Sequence, residues 1–316
     1  MLALEHISSI MKKILFTVLI ACFGFAAQAQ SDVIFTHFMF NRLGYNPAFA
    51  GGQGVVDIGA IYRNQWWSGI DGAPRTLNMF FHTPFAKNRN GAGISITSDQ
   101  IGFYSTTSAD LSYAYRMGIN NHSNFSIGLS GRVEQTRTNW AKAQSVEPDL
   151  IAPIDDDATN RLRPNFGLGF FYKNDKKGYV GLSMPRILKN SLYTDQGDAG
   201  FGVNTMYLMG GYIHKFNRNV SLYPNAMITY NPSAPFELDL NVNVLLMDAI
   251  WLGASYRLGD SFDVLAQYYF KEGFRMGMAF DLTTSDLSKV TTGSWEVLLG
   301  YTLPCDNCDF VHPRFF

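Results

Sequence analysis

The stretch Phe236-Glu237-Leu238-Asp239-Leu240-Asn241-Val242-Asn243-Val244-Leu245-Leu246 alternates apolar and polar side chains from Phe236 to Val244. Successive side chains of a β-strand point to opposite faces, so one face here is Phe, Leu, Leu, Val, Val and the other Glu, Asp, Asn, Asn. A strand of a soluble sandwich reads the same way. Two features favour a membrane wall instead: the polar face carries acids and amides, and the same pattern recurs along the chain. Repeated segments of about ten residues separated by turn residues are the signature of a transmembrane antiparallel β-barrel with a polar lumen.

Working outward, the pattern recurs at 55–63, 75–82, 91–98, 106–117, 124–138, 164–173 and 177–184, and again at 205–216, 220–230, 250–258, 261–270, 274–282 and 294–303. With the opening strand that makes fourteen, an even number as a closed bacterial barrel requires. The connections after odd-numbered strands include the long stretches 64–74, 139–163, 185–204 and 283–293, whereas those after even-numbered strands are short. Long loops therefore gather on one rim, the extracellular one, and short periplasmic turns on the other. Two features strain the pattern: Pro84 to Asn90 is long for a short turn, and Pro224 removes a ladder donor and implies a bulge.

Composition agrees with an outer-membrane address. Charged residues make up 16% of the 316, below the roughly 25% usual in soluble proteins. A net charge of -1 gives no basic field for nucleic acid. At the amino end, Met11-Lys12-Lys13, the apolar run Ile14 to Phe25 and Ala27-Gln28-Ala29 form a signal peptide over 1–29, with Met11 as the expected start. Leu19-Ile20-Ala21-Cys22 also fits a lipoprotein box, although the apolar run continues past Cys22. Segment 30–54, too apolar for a free tail and too interrupted for a strand, reads as a plug or a periplasmic clasp. The barrel occupies 55–303, and 304–316 is a periplasmic tail.

The inward face inferred from the alternation carries Arg63, Arg116, Arg132, Arg257 and Arg275 with Asp57, Asp110, Glu134, Glu237, Asp239, Asp263, Asp281 and Glu296. Inside a barrel, opposite charges on adjacent strands are expected to form ladders that fill the lumen; selective conduction of a solute is the functional alternative. Tyr62, Trp66, Trp67, Trp251, Trp295 and Tyr301 are expected in interfacial girdles rather than as ligand-stacking rings. Asp155-Asp156-Asp157 lacks the spacing of a calcium loop. Cys305 and Cys308 read as a short-loop disulfide or idle thiols, and His37, His82, His122, His214 and His312 show no metal-ligand spacing. A hydrolase built on Ser112 or Ser130 finds no motif support. No cofactor, metal or catalytic residue is expected.

Several short motifs, in order, resemble the PorP/SprF family of the Bacteroidetes type IX secretion and gliding system. They are Asn46-Pro47-Ala48-Phe49-Ala50-Gly51, Tyr62-Arg63-Asn64-Gln65-Trp66, Asp99-Gln100-Ile101-Gly102, Gly253-Ala254-Ser255-Tyr256-Arg257, Phe280-Asp281-Leu282, Gly293-Ser294-Trp295-Glu296 and Pro313-Arg314-Phe315-Phe316. Trp295, where the family pattern has histidine, and the Cys305/Cys308 pair depart from it. The resemblance implies a non-enzymatic barrel, set in outer-membrane lipids, for export or surface retention of adhesin-like cargo with a C-terminal secretion domain. It also implies periplasmic peptidoglycan-binding and other secretion partners. The alternative is a fourteen-stranded transporter for a hydrophobic or other small solute, with Met79, Met206, Met209 and Met227 lining a pocket.

Overall fold

The wall is built from strands whose outward residues are apolar and whose inward residues are polar or small. In the computed structural model, which describes residues 33–67, 70–139, 162–188, 192–194, 197–199, 204–232, 234 and 236–303, they form one continuous antiparallel ladder. The strands are β1 (Asp57–Asn64), β2 (Arg75–Phe85), β3 (Asn90–Ile101), β4 (Tyr104–Asn120), β5 (Ser123–Thr138), β6 (Leu162–Asn174) and β7 (Gly178–Met184). They continue as β8 (Met206–Tyr212, resumed by His214–Lys215), β9 (Val220–Tyr230), β10 (Glu237–Leu246), β11 (Ile250–Arg257), β12 (Ser261–Tyr269), β13 (Phe274–Thr283) and β14 (Ser294–Thr302). Each pairs with the next, and β1 closes on β14 from Asp57↔Thr302 to Asn64↔Trp295. The result is a closed fourteen-stranded antiparallel barrel with no free sheet edge. A separate two-stranded ladder, Leu192–Thr194 with Gly197–Ala199, sits in the β7–β8 connection.

The stretch Phe236 to Leu246 takes the facing its alternation predicts. Phe236, Leu240 and Val242 are exposed on the outer wall, at 54%, 47% and 47%, while Asp239, Asn241 and Asn243 are buried inside. Leu111, Leu129, Phe166, Val264 and Met278 are likewise exposed on their strands, giving the apolar outer band that lipid requires.

Three expectations need correction. The β2–β3 turn is four residues, Ala86 to Arg89, because both strands extend further than the alternation marks; Ala86, Lys87 and Asn88 take left-handed φ of 49°, 54° and 67°. Pro224 makes no bulge: β9 and β10 stay in register through Pro224↔Val242. On the other side the β8–β9 ladder lapses opposite Pro224, between Gly211↔Asn225 and His214↔Leu222. Trp251 leaves the expected girdle. It points inward, 4% exposed, because the lumen holds an apolar partner for it: its ring lies 5.3 Å from that of Phe40 and 4.6 Å from that of Tyr223. Tyr62 and Trp295 do pair at 5.4 Å, between neighbouring strands at the long-loop end.

The segment before β1 folds as three short 3-10 turns, Phe38–Phe40, Arg42–Gly44 and Pro47–Phe49. Ile34, Phe35, Phe38, Met39, Leu43, Tyr45, Ala48, Phe49 and Ala50 are all buried. They pack against inward residues of the wall such as Phe80, Phe171, Tyr179 and Trp251. Fully burying one such Phe or Met side chain stabilises by about 1.5–3 kcal/mol, so this segment carries its own share of core.

Candidate functional site

Glu296, on β14 and 0% exposed, is where the inner segment meets the wall. Its carboxylate accepts from the Thr36 N–H at 2.6 Å, the His37 N–H at 3.1 Å, His37 Nδ1 at 2.8 Å and Arg63 Nη1. Arg63, on the neighbouring β1, also donates to Thr36 Oγ1 at 3.2 Å, and its Nη2 forms an ion pair with Asp281 Oδ2 at 2.7 Å. Asp281 Oδ1 in turn accepts from Thr36 Oγ1 at 2.7 Å. Five residues from three strands and the inner segment thus share one buried network. Taking a carboxylate out of water costs free energy that such partners offset. The local sequence explains the geometry: alternation turns Arg63 and Glu296 inward, and the β1–β14 register sets them directly opposite.

A second cluster lies at the other end of the same strands. Arg275 on β13 reaches past β14 to Asp57 on β1, with Nη2 to Oδ2 at 2.9 Å and a second bond from Nη1. The path is open because Gly300 stands between them; a Cβ there would come within 2.6 Å of Arg275 Nε. Thr302 Oγ1 donates to Asp57 at 2.7 Å, and His82 Nε2 lies 3.6 Å from it.

The remaining inner contacts hold the segment along its length. Asn46 caps the Pro47–Phe49 turn through the Ala48 N–H at 2.9 Å and donates to the Phe170 carbonyl at 3.0 Å. Asn41 donates to Asn78 at 2.8 Å, and the Tyr45 carbonyl accepts from Ser183 at 2.8 Å. The Ala50 carbonyl accepts from Arg116 Nη2 at 3.1 Å, and the Gly52 carbonyl from Lys173 at 3.1 Å. Gly51 turns the chain with φ of +65°, a conformation natural to glycine. Gly128 on β5 has its vacant Cβ position filled by the backbone of Pro47 and Ala48.

The charged residues picked out by alternation all lie on the inner face, with partners that alternation does not reveal. Arg257 bonds Asp239 at 2.7 Å and Arg132 bonds Asp110 at 2.9 Å, as cross-strand ladders predict, and Arg132 also bonds Glu134, two residues on in its own strand, at 3.1 Å. Arg116 instead binds carbonyls, of Asn88 at 2.8 Å and of Ala50. Asp263 faces Asp281, a like charge, in the β12–β13 ladder, and neither of its carboxylate oxygens has a hydrogen-bond partner. Glu237 pairs in register with Thr229. Of the family motifs, Gln65 bonds the Pro74 carbonyl through its N–H, the Trp66 N–H meets Ser294 Oγ at 3.3 Å, and Ser255 accepts from Asn241 at 2.7 Å. Asn64 opposes Trp295, Tyr256 faces outward and Gly293 opens β14 at φ of +138°. Met209 and Met227 oppose one another and are buried, whereas Met79 faces outward at 45%. Ser112 and Ser130 oppose one another on β4 and β5. Residues 1–29, read above as a signal peptide, and Asp155 to Asp157, Cys305, Cys308, Pro313 and Arg314 lie outside the described residues. Thr36, Thr302 and Gly300 were not singled out by alternation; only the closure of β1 on β14 brings them into play.

A family model described as type IX secretion system membrane protein PorP/SprF matches residues 27–301. Among solved structures, the chain is similar to the Acinetobacter baumannii outer membrane protein Omp33, with 8% identity and a TM-score of 0.45, covering 79% of this chain and 98% of that one. A TodX deltaS2S3 mutant monoaromatic hydrocarbon channel has 10% identity and a TM-score of 0.47, with 83% and 93% covered. The KdgM porin has 12% identity and a TM-score of 0.40, with 78% and 99% covered. No curated protein matches the chain.

Proposed function

Because this chain belongs to the PorP/SprF family of type IX secretion system membrane proteins, we propose that it is a plugged outer-membrane barrel that holds or docks exported cargo and does not conduct it. The observation that carries this reading is the occupied lumen. Val33 to Val56 fills it with apolar side chains, and Glu296, Arg63 and Asp281 lock the segment to the wall. A passage packed with Phe38, Met39, Phe49 and buried ion pairs is poorly suited to passing a folded polypeptide or a solute.

Cargo recognition then belongs to the long-loop rim, including the 64–74 and 139–163 connections, and contact with periplasmic partners to the short-turn rim and the tail after Leu303. The cargo is adhesin-like protein bearing a C-terminal secretion domain, and the periplasmic partners include a peptidoglycan-binding component. The protein performs no catalysis in this role.

The test is to shorten the 64–74 and 139–163 loops and measure cargo on the cell surface. Surface cargo should fall while the barrel still inserts, as judged by heat-modifiable mobility. Unchanged display from an inserted barrel overturns the loop assignment, and a defined solute flux through the purified protein overturns the non-conducting one.

A further inference from the structure

In an even-stranded barrel the first strand begins and the last strand ends on the same rim. Here Asp57 opens β1 opposite Thr302, the last residue of β14, at the short-turn end. The chain reaches this end of β1 from inside the lumen.

Followed backwards from Asp57, the inner segment starts at the short-turn rim. Gly52 is held by Lys173 near the end of β6, Ala50 by Arg116 near the end of β4, and Gly51 abuts Thr83 and Pro84 near the end of β2. It then crosses the lumen past Asn78 and Ser183. Thr36 and His37 reach Glu296, Asp281 and Arg63, each within two residues of the long-loop end of its strand. Asp57 and Arg63 are six residues apart on β1, about 20 Å along a strand. Val33 precedes Thr36 by three residues, at most about 11 Å of extended chain, and the way back is filled by Phe38 and Met39, 1% and 2% exposed.

We infer that the inner segment is open to the cell surface on its Val33 side, through the long-loop rim, while its Gly52 side and the last residues of β14 lie at the periplasmic rim. The two sides of the inner segment then face opposite sides of the membrane, Val33 beside the cargo-facing loops and Gly52 beside the periplasmic partners. This rests on the orientation given under the proposed function, with long loops outside.

The experiment uses the full-length protein in its own cells with Cys305 and Cys308 replaced by serine. Single cysteines are introduced as Val33→Cys, as Asp71→Cys in the exposed β1–β2 loop, and as Asn121→Cys in the exposed β4–β5 turn. Intact cells are treated with a membrane-impermeant maleimide. Val33→Cys should label, like Asp71→Cys, without permeabilisation, and Asn121→Cys only after it. If Val33→Cys behaves like Asn121→Cys, or stays unlabelled in permeabilised cells, while Asp71→Cys labels from outside, the inference falls and the orientation stands. If Asn121→Cys labels on intact cells and Asp71→Cys does not, the orientation itself falls.

Discussion

His37 grips Glu296 twice, through its backbone N–H at 3.1 Å and its ring Nδ1 at 2.8 Å, with neither side chain open to solvent. The contact joins the inner segment to the strand that closes the barrel. Because Glu296 also answers Arg63, removing it leaves a buried guanidinium with one of its two acids gone. Glu296→Ala should cost about 3–5 kcal/mol. It should also release the segment to added protease before the wall unfolds. Urea titration of heat-modifiable mobility, with proteolysis run in parallel, checks both; an unchanged midpoint would show that the network carries no stability.

Leu240 and Leu245 lie on the same strand and face opposite ways, at 47% and 1% exposure. Leu245→Ala empties a packed lumen site and should cost about 2–5 kcal/mol, whereas Leu240→Ala should cost far less because lipid fills the gap. Leu240→Arg should cost about 2–4 kcal/mol near the midplane. Equal costs for the two alanine variants in vesicle unfolding would contradict the facing.

Glycines at 128 and 131 separate packing from propensity. A Cβ on Gly128 would collide with the Pro47–Ala48 backbone, while one on Gly131 would meet nothing within 4 Å. Gly128→Ala should loosen the inner segment, read as faster proteolysis near Ala48 and the appearance of ion conductance in planar bilayers. Gly131→Ala should match the parent protein in both assays.

Asp263 is 1% exposed, faces Asp281, and its carboxylate oxygens have no hydrogen-bond partner. A buried charge without such bonds is a cost to folding. Asp263→Asn should therefore hold or raise the urea midpoint, in contrast to Glu296→Gln, which should lower it. A clear fall with Asp263→Asn would mean that the carboxylate has a stabilising partner.

Much of the barrel was legible in the chain. Fourteen alternating segments correspond to fourteen strands, and the long connections fall on one rim. Strand ends were less so: β4 and β5 run to 17 and 16 residues because Tyr104, Ser123 and their neighbours stay paired beyond the apolar band. The site was legible only in part. Arg63 and Glu296 stood out as inward charges, but Thr36 carries no period-two signal because its segment is not a strand, and Gly300 matters only as the gap through which Arg275 reaches Asp57.

From the sequence by itself come the class and the sidedness of each strand. The reason is local: a pleated backbone sends neighbours to opposite faces, so Leu240 and Asn241 are sorted by their own order. Only the tertiary structure decides what fills the lumen and which charges meet. Closure of β1 on β14 sets Arg63 against Glu296, a register two strands wide sets Asp57 within reach of Arg275, and the pairing of β12 with β13 sets Asp263 against Asp281. Those are contacts between residues far apart in the chain, and alternation carries no information about distance in sequence. Trp251 shows the limit most plainly: the pattern makes it an aromatic on a strand, and the Phe40 ring waiting inside makes it part of the core.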